Sequence, residues 1–123
     1  MKKPAVLIID DDPSHLRIYG WIMQSAGFES CPALVSLDTL DLPETQIDLV
    51  LLDYHLNARG TATEIALQLR ERYPNAPIFV LSDALMMPDD IAPFVDGFIR
   101  KGDPARLVET VSQRLNGAAN GSQ

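Results

Sequence analysis

Short, almost purely apolar runs recur along the chain, and each gives way to acids or turn residues. Residues 5–9 read AVLII, 47–52 IDLVLL and 78–81 IFVL; Phe98-Ile99 is a weaker run, and 28–31 (FESC), with polar residues at its centre, is a further short candidate. Runs of this length are too short for helices. They are also too uniformly apolar for a sheet with one wet face, so they read as strands covered on both sides. Helical spacing fills the intervals. Leu16, Ile18, Tyr19, Ile22 and Met23 mark 13–26, Ile65, Leu67 and Leu69 mark 61–73, and Leu107, Val108, Val111 and Leu115 mark 103–115. Strict alternation of strand and helix with buried strands implies α/β architecture: a parallel sheet with helices on both faces.

The boundaries carry their own signals. Asp12 is placed to cap the first helix with Pro13 at its first position, and Gly27 follows as a stop. Thr61 and Glu64 have capping-box spacing, and Pro74 ends that helix. Gly117 is expected to end the last helix, leaving 118–123 as a disordered tail behind a single domain, 1–117. Residues 34–40 read as a weak, short helix. Residues 86–94 contain Pro88 and Pro93, which leave room for a short or irregular fourth helix at most.

Composition excludes several functions. The chain of 123 residues holds 17 acids against 10 bases, a net charge of −7, and its lysines and arginines form no run. That balance argues against a nucleic-acid-binding face. A single cysteine, Cys31, allows no intrachain disulfide and fits a reducing, cytoplasmic compartment. The apolar run near the N-terminus is too short for a signal peptide, and no stretch approaches a membrane span.

In open parallel sheets, ligands bind beyond the carboxyl ends of the strands. Here those ends are Asp10-Asp11-Asp12, Asp53, Ser82-Asp83 and Arg100-Lys101. Carboxylates from neighbouring strand ends suit a hard divalent cation such as Mg²⁺. One carboxylate beside the ion can attack a phosphoryl group, a hydroxyl such as that of Ser82 can bind its oxygens, and an ammonium such as that of Lys101 can neutralise its charge.

With these residues in this order, nearly the whole chain resembles the receiver domains of bacterial two-component response regulators, of the CheY-like superfamily. VLIIDDDP is similar to the family's first strand and acidic pair, DLVLLD to the third strand ending in the phosphorylated aspartate, PIFVLSDA to the fourth, and GFIRKG to the fifth. The resemblance implies a flavodoxin-like, doubly wound sheet of five strands in the order 2-1-3-4-5. It implies that Asp53 accepts a phosphoryl group from a phosphohistidine on a sensor histidine kinase or a histidine phosphotransfer protein. Asp10 and Asp11 would hold Mg²⁺ together with Asp53 and the main-chain carbonyl of His55, Asp11 more directly and Asp10 largely through water. Ser82 and Lys101 would bind the phosphoryl group, and Phe98 would turn inward as Ser82 moves. The protein would be a signalling domain limited to its own phosphorylation and dephosphorylation, with a downstream protein target.

Four departures from that pattern stand out. Asp83 occupies the place of a small residue and is expected to slow phosphotransfer by bulk and repulsion. Gly102 follows Lys101 where proline is commoner, Asn57 replaces a proline after the acceptor while Gly60 falls early, and the 82–101 segment is short. The side chain of His55, two residues past the acceptor, is placed to modulate hydrolysis. His15 is expected on the helix surface near the site, and Cys31 and Trp21 are expected in packing; Met86-Met87 is expected to cover the core. Two alternatives stay open: a pseudo-receiver that signals by protein contact without phosphorylation, and a phosphohydrolase acting on an external substrate, for which the short loops supply no substrate pocket.

Overall fold

Each apolar run becomes a strand of one sheet. In the computed structural model, which describes residues 3–36, 40–56 and 62–121, the elements are β1 (Ala5–Asp10), α1 (Pro13–Ser25), β2 (Glu29–Leu34), β3 (Leu49–Asp53), α2 (Ala62–Arg72), β4 (Ile78–Ser82), a single 3₁₀ turn (Ala92–Phe94), β5 (Gly97–Arg100) and α3 (Pro104–Gly121). All neighbouring strands pair in parallel, in the order β2-β1-β3-β4-β5.

The continuous apolarity of the central strands follows from their cover. Val6 and Ile8 of β1, Leu49 and Leu51 of β3 and Phe79 and Leu81 of β4 face α1 and α3, meeting Leu16, Met23, Leu107 and Val111. The alternate residues Leu7, Ile9, Val50, Leu52 and Val80 face α2, where Ile65, Ala66 and Leu69 pack. Successive strand residues point to opposite sides, so only a sheet buried on both sides demands an apolar residue at every position.

The first helix starts as its sequence dictates. The Asp12 side chain accepts a hydrogen bond from the Ser14 N–H at 2.8 Å, Pro13 occupies the first turn, and Gly27 takes the left-handed conformation (φ 94°) just after the helix. At the amino edge of the sheet, acids satisfy strand ends. Asp48 accepts from the Ala5 N–H at 2.8 Å, and Asp96 accepts from the Ile78 N–H at 2.8 Å and from Arg70 at 3.0 Å. Burial pushes the Asp96 carboxyl up, but these two donors outweigh it and hold the group below its ordinary value. At the β2 edge, Pro32 sits in mid-strand opposite Ile8 of β1.

Several expectations need correction. The short helix at 34–40 is not formed at its described positions. Leu34 instead closes β2, and the Val35 N–H extends the ladder by donating to the Asp10 carbonyl at 2.9 Å, which draws Val35 into the core. The last helix runs through Gly117 to Gly121. One interior glycine costs only about 1 kcal/mol against alanine, and no proline follows to stop the helix. Trp21 is 69% exposed rather than packed, and Met86 is 78% exposed, leaving Met87 alone of that pair against the core. Cys31 is half-buried against the α2-side core. The 82–97 connection holds only the 3₁₀ turn, in keeping with its two prolines. Thr61, Asn57 and Gly60 lie outside the described residues.

Gly97 pairs with Phe79 across β4 and β5, and a Cβ built on Gly97 would run into the Phe79 ring. Gly97→Ala is therefore expected to lower unfolding free energy by about 1–3 kcal/mol, read by urea denaturation. Adding Phe79→Leu should recover part of the loss; an unchanged midpoint in Gly97→Ala would show that the ring moves aside freely.

Candidate functional site

Parallel pairing brings the polar strand ends to one edge. Asp10 ends β1, Asp53 ends β3 and Ser82 ends β4, each at most 2% exposed, and Lys101 follows β5 directly. The register explains why the ends align: Ile9 lies opposite Leu52, Asp53 opposite Leu81, and Ser82 opposite Arg100. The sheet therefore carries residues far apart in sequence to one place without help from loops.

Lys101 Nζ lies 2.7 Å from Asp53 Oδ1, and the same oxygen accepts a hydrogen bond from the His55 N–H at 3.2 Å. Asp10 Oδ1 accepts from the Asp12 N–H at 3.0 Å, while Asp10 Oδ2 lies 3.2 Å from His15 Nδ1. Ser82 Oγ accepts from the Ala84 N–H at 3.1 Å, and the Ser82 carbonyl accepts from the Lys101 N–H at 2.9 Å. Lys101 is thus tied to the site through both its ammonium and its backbone.

Charge is unbalanced here. Burial first, and the neighbouring Asp53 second, push the Asp10 carboxyl up from 3.8 to about 6. Burial works against the Lys101 ammonium, but its hydrogen bond to Asp53 and the charge of that carboxylate prevail and raise it. Burial also raises Tyr19, whose hydroxyl feels Lys101, Asp10 and Asp53. Two buried carboxylates facing one ammonium make a donor set that fits a divalent cation.

Most of the residues singled out from the sequence reach this edge, with differences in detail. Ligand atoms of Asp10, Asp53 and His15 all lie within 4.8 Å of one another, and Asp11, half-buried in the following loop, stands outside this trio. His55 and Asp83 are exposed, and Phe98 is half-buried in β5, adjacent to the inward Ile99. Gly102 adopts φ 88°, a left-handed turn open to glycine after Lys101. His15 is the residue the sequence reading underestimated: rather than merely decorating the helix surface, its imidazole turns back onto Asp10. The available signal was its place in the first turn of a helix that begins three residues after a strand-end acid. Tyr19, one turn further, packs edge-on against His15 with ring centroids 6.4 Å apart. A groove of about 150 Å³ opens beside them between α1 and the start of α3, lined by Ile18, Tyr19, Ile22, Lys101 and Leu107.

No protein-family model matches the chain, and no curated protein matches it. Solved structures do. A CheY-like response regulator receiver domain protein from Methanospirillum hungatei superposes with a TM-score of 0.75 at 18% identity, covering 98% of this chain and 99% of that one. The chain has the receiver-domain fold. A two-component response regulator from Clostridium difficile follows at 0.74 and 16% identity, over 93% and 97% of the two chains. TrrA of Thermotoga maritima, solved in complex with Mg²⁺-BeF, follows at 0.70 and 21% identity, over 92% and 98%. Within this receiver fold, the strand order matches the expected 2-1-3-4-5 and the fourth helix is reduced to one turn. Among the described residues, no helix is long and apolar enough to cross a membrane.

Two measurements test this charge balance. Because the native-state pKa of Asp10 lies above its unfolded value, its favourable contribution is present below about 3.8 and is lost as pH rises through about 6. Asp10→Asn is therefore expected to unfold at higher denaturant than the parent at pH 7 in chelator, by on the order of 2 kcal/mol, with the gap closing toward pH 4. Lys101→Met leaves both carboxylates without their ammonium and should destabilise by about 3 kcal/mol at pH 7, partly relieved at pH 5; equal losses at both pH values would count against the charge balance described here.

Proposed function

We propose that this chain is a phosphoacceptor module: Asp53 takes a phosphoryl group from a phosphohistidine donor, and the modified site switches a protein-binding surface. The observation that carries this reading is buried Asp53 and Ser82 with half-buried Lys101 at the carboxyl edge of a receiver fold, with a second buried carboxylate, Asp10, beside them.

In the transfer, a carboxylate oxygen of Asp53 attacks the phosphorus. The P–O bond forms as the P–N bond to the donor imidazole breaks, and the departing ring nitrogen takes a proton from solvent. Lys101 and the His55 N–H hold the acceptor carboxylate by Oδ1 and keep it oriented. The Ser82 hydroxyl, now tied to the Ala84 N–H, is within the same edge to donate to a phosphoryl oxygen. Asp10 and Asp53 would hold Mg²⁺, with Asp11 and the His55 carbonyl completing the set; when bound, the ion neutralises charge that develops on the phosphoryl oxygens. Asp83 is exposed beside Ser82, at the side from which a phosphoryl donor would arrive, where its bulk and charge would slow the transfer.

Phosphorylation biases a two-state surface by drawing Ser82 and Lys101 toward the new charge. The donor is a sensor histidine kinase or a histidine phosphotransfer protein. Exposed Ile18, which lines the groove at Lys101, and exposed Trp21 on the same helix supply apolar surface for it. We read the chain as a cytoplasmic signalling module rather than an enzyme with an external substrate.

Incubation with a small-molecule phosphodonor and Mg²⁺, followed by intact-mass measurement, tests this. One added phosphoryl mass on the parent, absent from Asp53→Ala and at least tenfold slower to form in Lys101→Ala, is the expected result. No modification over hours would instead favour the pseudo-receiver that signals by contact alone.

A further inference from the structure

We propose that His15 is a direct ligand of the cation held by Asp10 and Asp53, and that this imidazole tunes the site toward first-row transition ions such as Ni²⁺ or Zn²⁺ over Mg²⁺. The inference rests on the reading of Asp10 and Asp53 as cation ligands and adds a nitrogen donor that reading lacks.

Geometry supports it first. His15 Nδ1 and Asp10 Oδ2 are 3.2 Å apart, and ligand atoms of His15, Asp10 and Asp53 lie within 4.8 Å of one another. Two ligands bound at about 2.1 Å and at right angles sit roughly 3 Å apart, and opposed ligands just over 4 Å. The trio therefore needs little movement to share one ion. Its two carboxylates are almost wholly buried, whereas the imidazole is 44% exposed, leaving a path for an ion to enter.

The outer face of the ring supplies an independent observation. His15 Nε2 faces Asp12 Oδ2 at 3.6 Å. Metal-binding histidines commonly direct the other ring N–H to a carboxylate, which sets the tautomer and turns the remaining lone pair to the metal. With an ion on Nδ1, the ring proton would sit on Nε2, on the Asp12 side; without one, Nδ1–H is within reach to donate to Asp10. Asp12 is itself fixed as the cap of α1, and Tyr19 packs against the same ring. Asp10, Asp12 and Tyr19 therefore flank the imidazole on three sides, with Nδ1 toward Asp10.

Chemistry then sets the preference. Oxygen donors alone suit Mg²⁺, while imidazole suits Zn²⁺, Ni²⁺ and their neighbours. Carboxylates also bind transition ions more tightly than Mg²⁺, so the diagnostic quantity is how the preference changes when the imidazole is removed.

Calorimetric titration of the full chain with Mg²⁺ and Ni²⁺ reads that quantity. His15→Ala and His15→Gln should each lower Ni²⁺ affinity by about tenfold or more, at least the loss caused by removing an outer-sphere partner, and lower Mg²⁺ affinity far less. In the parent, Zn²⁺ should move the ¹⁵N resonance of His15 Nδ1 more than that of Nε2. An unchanged nickel-to-magnesium ratio in both variants, or an unmoved Nδ1 resonance, overturns the role of His15 and leaves the cation role of the carboxylates standing. Binding of no divalent ion by the parent overturns both.

Discussion

Two carboxylates buried within reach of a single ammonium set the terms for the carboxyl edge of this sheet. Neither Asp10 nor Asp53 has solvent to screen it, and isolated buried charge is severely penalised. The surroundings respond in a graded way. Asp53 takes the strong partners, the Lys101 ammonium and the His55 N–H. Asp10 receives weaker help from the Asp12 N–H and from His15, and its carboxyl shifts toward the neutral form. The excess negative charge is held in place by the ladder: neither acid can withdraw without unzipping β1 or β3 from its neighbours. The sheet thus preserves a local imbalance that a flexible loop would relax.

The division of acids between the two edges sharpens that contrast. Asp48 and Asp96 sit at the amino edge and are satisfied outright by strand N–H groups, Asp96 also by Arg70. They resemble Asp10 and Asp53 in residue type and in nearness to a strand terminus. What separates them is peptide polarity. At the amino edge, backbone donors meet the carboxylates head-on; at the carboxyl edge, the strands present carbonyls, and acids there must look to lysine, loop N–H groups or a cation.

Much of this was legible in the chain. The central strands announce themselves because both faces are covered, which forces apolar residues at every position. The cap on α1 is equally local, being settled by Asp12, Pro13 and Ser14. The acids and lysine at the strand ends follow from strand order alone. Features that depend on phase or competition were harder to read. Whether His15 faces Asp10 or solvent depends on the angle at which α1 leaves a short loop. Val35 had helical neighbours in sequence but found a better partner in the Asp10 carbonyl, so pairing overrode local preference. Trp21 shows the reverse limit: a large apolar residue at helical spacing fell just off the buried stripe defined by Leu16, Gly20 and Met23.

Pro32 has a further consequence. It lies in β2, an outer strand that, among the described residues, pairs on one side only, with β1. A proline has no N–H to offer, so an incoming strand would find a gap in the row of donors along this exposed border. Parallel sheets form slowly because their pairings are distant in sequence, and unpaired borders are vulnerable while they wait. In a chain with nearly half its residues hydrophobic, that missing hydrogen protects against self-association during folding, a stage at which the chemistry of the opposite edge has no part.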